Sequence, residues 1–255
     1  MNILLSNDDG IDSPFLRILA EVISENHDVV VAAPAKEQSW IGKAMSRRGS
    51  VQLEEEASFP CLAYKLTGTP SDCVNIALEH LCIEKPDAVV SGINVGHNAG
   101  LSFIASSGTI GAALEGALQR FPAIAASMYL DPEQFKAIGE SENPLTKQME
   151  NHVRAAAKII VSRVKDVIMA PTAPYGIVHS FNFPCRDIEK ARIVKARAAR
   201  TISRSLFNRQ GNSFQFEYHP LETMDSEEAS DRELIHGGDI SHTVINFNSL
   251  DNTTY

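Results

Sequence analysis

Residues 3–10, Ile3-Leu4-Leu5-Ser6-Asn7-Asp8-Asp9-Gly10, decide how this chain is read. Three apolar residues stop at once in turn formers, as a buried parallel strand does when it reaches the edge of its sheet. Asp8 and Asp9 then fall in the loop beyond. In open α/β sheets ligands lie outside the carboxyl ends of the strands, so two carboxylates in the first such loop stand where a hard cation can be held. The stretch is also good turn chemistry, because Asn and Asp tolerate unusual backbone angles and Gly takes positive φ. Taken alone, these residues leave both readings open.

Outward from that stretch the chain continues as a βαβ unit. Pro14 to Ser24 predicts a helix with Phe15, Ile18, Leu19, Val22 and Ile23 on one face, and Val29 to Ala33 a buried strand stopped by Pro34. The following loop, which holds Ser39, therefore leaves the same sheet edge as Asp8. Residues 50–66, with Glu54, Glu55 and Glu56, suggest a hairpin or edge strands facing water. Thr67 to Asp72 punctuates the chain before a helix over Cys73 to Leu81. Ala88 to Ser91 is a buried strand that breaks at Gly92 into a loop rich in Gly and Asn, containing Asn94, His97 and Asn98. Ser106-Ser107-Gly108-Thr109 opens a helix to about Leu118. Its N-terminus suits a phosphate, and its Ser and Thr residues equally suit an ordinary cap.

Ala123 to Ser127 predicts a strand, Leu145 to Val164 the longest helix, and Val167 to Ala170 and Gly176 to Phe183 further strands. From Arg192 the rhythm changes to β-like segments around a polar turn at 208–212, with a short helix near 226–236. The expected organisation is one α/β domain over residues 1–255, with a mostly parallel sheet flanked by helices. Its core covers about 1–190 and a β-rich arm about 191–255.

Composition narrows the function classes. The 255 residues carry a net charge of −9, which argues against broad binding to nucleic acid or anionic lipid. A small anionic substrate then needs local positive help from a metal or a helix end. No apolar run approaches a membrane span, and the N-terminus has no signal-peptide pattern, so the cytoplasm is the expected location. Cys61, Cys73, Cys82 and Cys185 lack zinc spacing and are read as reduced, mostly buried thiols. A lone loop histidine such as His97 is more often solvated than a ligand.

Together the three loops offer the Asp8 and Asp9 carboxylates, the Ser39 hydroxyl and the Asn94 carboxamide. That all-oxygen set suits Mg²⁺, Mn²⁺ or Ca²⁺ rather than zinc. Beside a helix N-terminus suited to phosphate it points to phosphoryl chemistry, and the chain has no Walker lysine, G-x-G-x-x-G or serine-hydrolase elbow. The competing readings are a Mg²⁺-binding receiver-like signalling module and a dinucleotide oxidoreductase. The first needs an acceptor aspartate where Asn94 stands, and the second a Gly-rich turn where Asp8 and Asp9 would repel pyrophosphate.

The chain resembles the SurE (survival protein E) family of metal-dependent nucleotidases through Ile3 to Gly10, Ala33 to Ser39, Thr67 to Val74, Ser91 to Gly100 and Ser107 to Thr109, in family order. The resemblance implies a Rossmann-like domain with a C-terminal β-hairpin arm exchanged in a homodimer or homotetramer. It also implies hydrolysis of nucleoside 5′- and possibly 3′-monophosphates with one Mg²⁺ or Mn²⁺ per subunit. Carried over by position, the metal ligands are Asp8, Asp9, Ser39 and Asn94, the catalytic residues Asp8, Asn98 and Ser107, and the substrate-binding residues Asn98, Ser106, Ser107, Gly108 and Thr109. Trp40 and Ser106 depart from the family pattern, which usually has Gly after the metal-binding serine and often Tyr before Ser-Gly-Thr. Both departures fall on the substrate side.

Overall fold

A computed structural model describes residues 1–140, 145–171, 174–202, 204–219, 221–224 and 229–251. In chain order the elements begin β1 (Asn2–Ser6), α1 (Pro14–Ser24), β2 (Asp28–Pro34), β3 (Leu53–Glu55), β4 (Leu62–Leu66), α2 (Pro70–Ile76) and β5 (Ala88–Val95). There follow α3 (Leu101–Ser106), α4 (Gly108–Leu118), β6 (Ala123–Met128), α5 (Pro132–Glu140), α6 (Lys147–Ile168) and β7 (Ile177–Phe183). The rest comprises β8 (Ile193–Ala196), β9 (Thr201–Ile202), β10 (Phe207–Gln210), β11 (Ser213–Phe216), β12 (Glu222–Thr223), α7 (Asp231–His236) and β13 (Ile240–Asn246).

Nine strands form one sheet in the order β3-β4-β2-β1-β5-β6-β7-β13-β8. The strands from β4 to β7 run parallel, and β3 and β13 pair antiparallel with β4 and β7. Counted along the chain, the six parallel strands lie in the order 3-2-1-4-5-6, the doubly wound order whose direction reverses between its first and fourth strands. Here that switch point falls between β1 and β5.

Alternation along β1 shows why both faces must be covered. Ile3 and Leu5 enter the core beneath α1 and α6, whereas Leu4 joins the opposite cluster with Leu66, Val74 and Ala112. A fully buried leucine contributes about 1.5–3 kcal/mol relative to exposure, so a polar residue at any of the three costs more than a surface change would.

Several expectations are corrected. The helix expected from Cys73 begins at Pro70, because Thr69 and Asp72 form a capping box and Pro70 occupies the first turn. β5 does not break at Gly92 but bulges, its register shifting between Ser91 and Asn94, and continues to Val95. The strand expected over Val167 to Ala170 is instead the end of α6, whose buried stripe runs through Val153, Ala157, Ile160, Val164 and Val167 at helical spacing. α3 was not expected. The main sheet also does not end near residue 190, since β8 and β13 complete it. Past that point two small two-stranded sheets stand apart from it, β9 with β12 and the hairpin β10–β11, whose described residues are exposed. The helix expected over 226–236 covers Asp231–His236, and residues 226–228 lie outside the described residues.

Candidate phosphoryl-transfer site

The residues singled out in the sequence converge at the switch point. Asp8 follows β1, Ser39 lies in the loop after β2, Asn94 sits on the bulged end of β5, and Ser107 caps α4. With Asn98 and Ser106 they line a cavity of about 670 Å³, inside the range of small-molecule sites, about 300–1,000 Å³.

The loop carrying Ser39 is held from two sides. Asp72 accepts the Ser46 N–H at 3.0 Å, the Thr69 hydroxyl donates to the Ala44 carbonyl at 2.7 Å, and Lys43 pairs with Glu115 at 2.6 Å. The Thr67 to Asp72 stretch thus starts a helix and anchors the neighbouring loop. At the loop's other end the Gln38 N–H donates to the Asp8 carbonyl at 2.7 Å, drawing Ser39 towards the carboxylates.

Asp8 is buried, and its Oδ1 accepts the Thr109 hydroxyl at 2.5 Å. A Cβ on Gly108 would stand 2.7 Å from the Asp8 Cβ, so the absent side chain lets the carboxylate lie against the N-terminus of α4. Asp9 accepts the Val95 N–H at 3.0 Å. Burial pushes the Asp8 carboxyl up to about 6 against the opposing Thr109 hydrogen bonds, and burial followed by the Asp8 charge raises Asp9 well above the usual carboxylate range. Glu37 raises both. Adjacent carboxylates in this state call for a positive counterpart.

The donor chemistry fits a hard cation. Ser39 donates its proton to Glu37 at 2.5 Å, which leaves its lone pairs free, and Asn94 donates its amide nitrogen to the Gly96 carbonyl at 2.6 Å, which orients its oxygen. Among the described residues no group of three or more His, Cys, Asp or Glu could hold a metal.

Asn98 is fixed through its backbone N–H to Asn182 at 2.8 Å and its amide to Ser127 at 2.9 Å. The Ser107 hydroxyl accepts the Ile110 N–H at 3.0 Å, so it is an N-cap and lines the cavity as well. Ser106 turns its hydroxyl back to the Ser102 carbonyl at 2.9 Å. Thr109 and Gly108, expected beside the phosphate, are fully or almost fully buried against Asp8, and the Thr109 hydroxyl serves that carboxylate instead.

Other cavity residues had no local signal in the sequence. Tyr129 follows β6, Phe216 ends β11, and Arg232 and His236 belong to α7. Arg232 supplies a nearly buried cation from a tail more than a hundred residues away. His97 is not a solvated loop residue. It packs against Phe103 and Tyr129, and burial followed by Arg232 lowers it to about 3, so it is neutral at ordinary pH.

Comparison with known proteins agrees with this geometry. Residues 3–208 match the family model "Survival protein SurE". A 5′-nucleotidase SurE of Pseudothermotoga lettingae is 48% identical over 130 residues, 50% of this chain and 49% of that protein. The chain therefore spans about half the length of that relative. One of Halobacterium salinarum is 42% identical over 68% of this chain and 62% of its own length, and one of Methanocella arvoryzae 30% identical over 92% and 87%. The crystal structure of SurE from Aquifex aeolicus superposes with a TM-score of 0.73 at 26% identity, covering 100% of this chain and 96% of that one.

Proposed function

The chain belongs to the SurE family, and we propose that it is a metal-dependent phosphomonoesterase that hydrolyses nucleoside 5′-monophosphates to nucleoside and phosphate. The observation that carries the reading is the meeting of two raised carboxylates, a hydroxyl and a carboxamide with a capped helix N-terminus, at the switch point of a doubly wound sheet.

Asp8, Asp9, Ser39 and Asn94 would hold one divalent cation, Mg²⁺ or Mn²⁺. When bound, the ion supplies charge neutralisation for phosphate oxygens and acidity for a water. Thr109 holds Asp8 in one orientation and favours its ionised form. Asn98, kept rigid by Ser127 and Asn182, lines the cavity where the phosphate would lie, and Ser107 stands at its side. Arg232 adds positive charge to a cavity in an acidic protein. Asp8 either positions the attacking water or attacks phosphorus itself, two routes separated by trapping a phosphorylated protein.

The test is phosphate release from a panel of nucleoside 5′- and 3′-monophosphates with Mg²⁺, Mn²⁺ or EDTA. Metal-dependent turnover is expected. Stable phosphorylation of the chain without turnover would instead favour a receiver-like module.

The arm follows the same reasoning. Phe207 and Phe214 on β10–β11 are 54% and 65% exposed, an apolar surface unusual for a hairpin to leave in water. We assign it to a homodimer or homotetramer interface, so deleting residues 205–218 should yield a smaller species by light scattering or an insoluble chain. Unchanged size and solubility would refute the assignment. Among the described residues no helix is long and apolar enough to cross a membrane.

A further inference from the structure

The cavity has two chemically different ends. Its lining includes the polar groups of Asp8, Ser39 and Asn94 and the aromatic rings of Trp40, Phe103 and Phe216, and these two sets are its polar and aromatic ends. Trp40 follows Ser39 directly, so whatever the polar end holds has the indole within reach. Its centroid lies 5.6 Å from that of Phe103 and 5.6 Å from that of Phe216, tilted to one and edge-on to the other. Neither contact is a parallel stack, and the indole keeps much of its surface open.

Two features set Trp40 apart from a packing residue. It is 42% exposed, and its backbone has φ +62, a conformation that large side chains rarely adopt. Such strain persists where the surroundings hold it, and it clusters at ligand sites. Here it places the chain's one tryptophan directly after Ser39, on the lining of the cavity.

We propose that Trp40 is the residue that recognises the nucleobase of the substrate, stacking on it while the phosphate occupies the polar end, and that purines are preferred because they offer the larger face. The proposal rests on the phosphomonoesterase reading, and the experiment separates the two. Adenosine 5′-monophosphate, cytidine 5′-monophosphate and ribose 5-phosphate share the phosphate and ribose and differ in the base.

Because base–aromatic stacking accounts for roughly tenfold or more in binding, Trp40→Ala is expected to lower kcat/KM for adenosine 5′-monophosphate about tenfold relative to ribose 5-phosphate. The loss should appear in KM, the purine-over-pyrimidine ratio should shrink with it, and Trp40→Phe should restore much of both. Since Trp40 is the only tryptophan, adenosine 5′-monophosphate should quench intrinsic fluorescence excited at the red edge, and ribose 5-phosphate should not. Unchanged substrate ratios, whether the rates stay or fall together, would overturn the proposal, as would equal fluorescence responses. Failure of the wild-type protein to hydrolyse any of the three would count against the phosphomonoesterase reading, and the fluorescence comparison would still decide the role of Trp40.

Discussion

Asp8→Asn is expected to reduce hydrolysis of nucleoside monophosphates by about 10²-fold or more, the usual cost of removing a preorganised electrostatic group, while raising the melting temperature of the metal-free protein. The two effects have one cause. A carboxyl whose folded-state pKa lies above its unfolded value costs stability as pH rises through that interval. For Asp8 the interval runs from about 3.8 to about 6, so at neutral pH the whole cost is present. Asn keeps the shape and an acceptor for Thr109 but removes the buried charge. Asp9→Asn should behave similarly, because burial, followed by the Asp8 charge, raises the Asp9 carboxyl well above the usual carboxylate range.

In the unaltered protein Mg²⁺ or Mn²⁺ should raise the melting temperature, and EDTA should stop turnover without unfolding a chain of this core size. In either variant the metal-induced rise should shrink. Full activity of Asp8→Asn or Asp9→Asn in EDTA would return residues 7–10 to the status of a turn. A lower melting temperature of both metal-free variants would show instead that the carboxylates stabilise the fold.

Gly92→Ala is expected to lower the melting temperature by about 10 °C and to weaken metal binding. β5 passes β6 so closely at its bulge that a Cβ at residue 92 would stand 2.2 Å from the Ala126 carbonyl oxygen, and φ is +129. The obstacle is backbone, so no side chain can turn away. Overpacking of this kind costs about 1–3 kcal/mol and the backbone strain about as much again. For a domain of this size each kcal/mol corresponds to about 2–4 °C. Two residues on, Asn94 takes its direction from the same bulge, so calorimetric titration with Mn²⁺ should register the displacement. A melting temperature within about 2 °C of the parent would mean that the strands separate freely, and the bulge would then not be what aims Asn94.

Where a segment's structure depends on its own periodicity, the sequence was sufficient. β1, α1 and β2 follow from an apolar run, an amphipathic stripe and a proline stop, and the loops bearing Asp8 and Ser39 follow from residues that cannot continue a strand or helix, whereas the loop expected at Asn94 is a bulged continuation of β5. The start of α2 was also written there, in the Thr69-Pro70-Ser71-Asp72 capping box. The end of α6 is misread as a strand when the apolar residues Val167 to Ala170 are taken alone, although its buried stripe stays helical through Val167.

Other features depend on partners distant in the chain. α3 is six residues with no side-chain cap, and its Ser102 hydroxyl bonds to Thr201 at 2.8 Å, a contact no local pattern encodes. β13 enters the main sheet only because β7, some sixty residues earlier, has an open edge, with His242 facing Phe181 in register. The same holds within the cavity. The residue types at 8, 9, 39 and 94 are a property of the chain, and so is the chemistry they can support. That Thr109 serves Asp8 rather than open space, that Arg232 reaches the cavity, and that Trp40 meets Phe103 and Phe216 are properties of the packed chain. Side-chain direction and burial are set by neighbours brought close in folding, and their sequence separation carries no local signal.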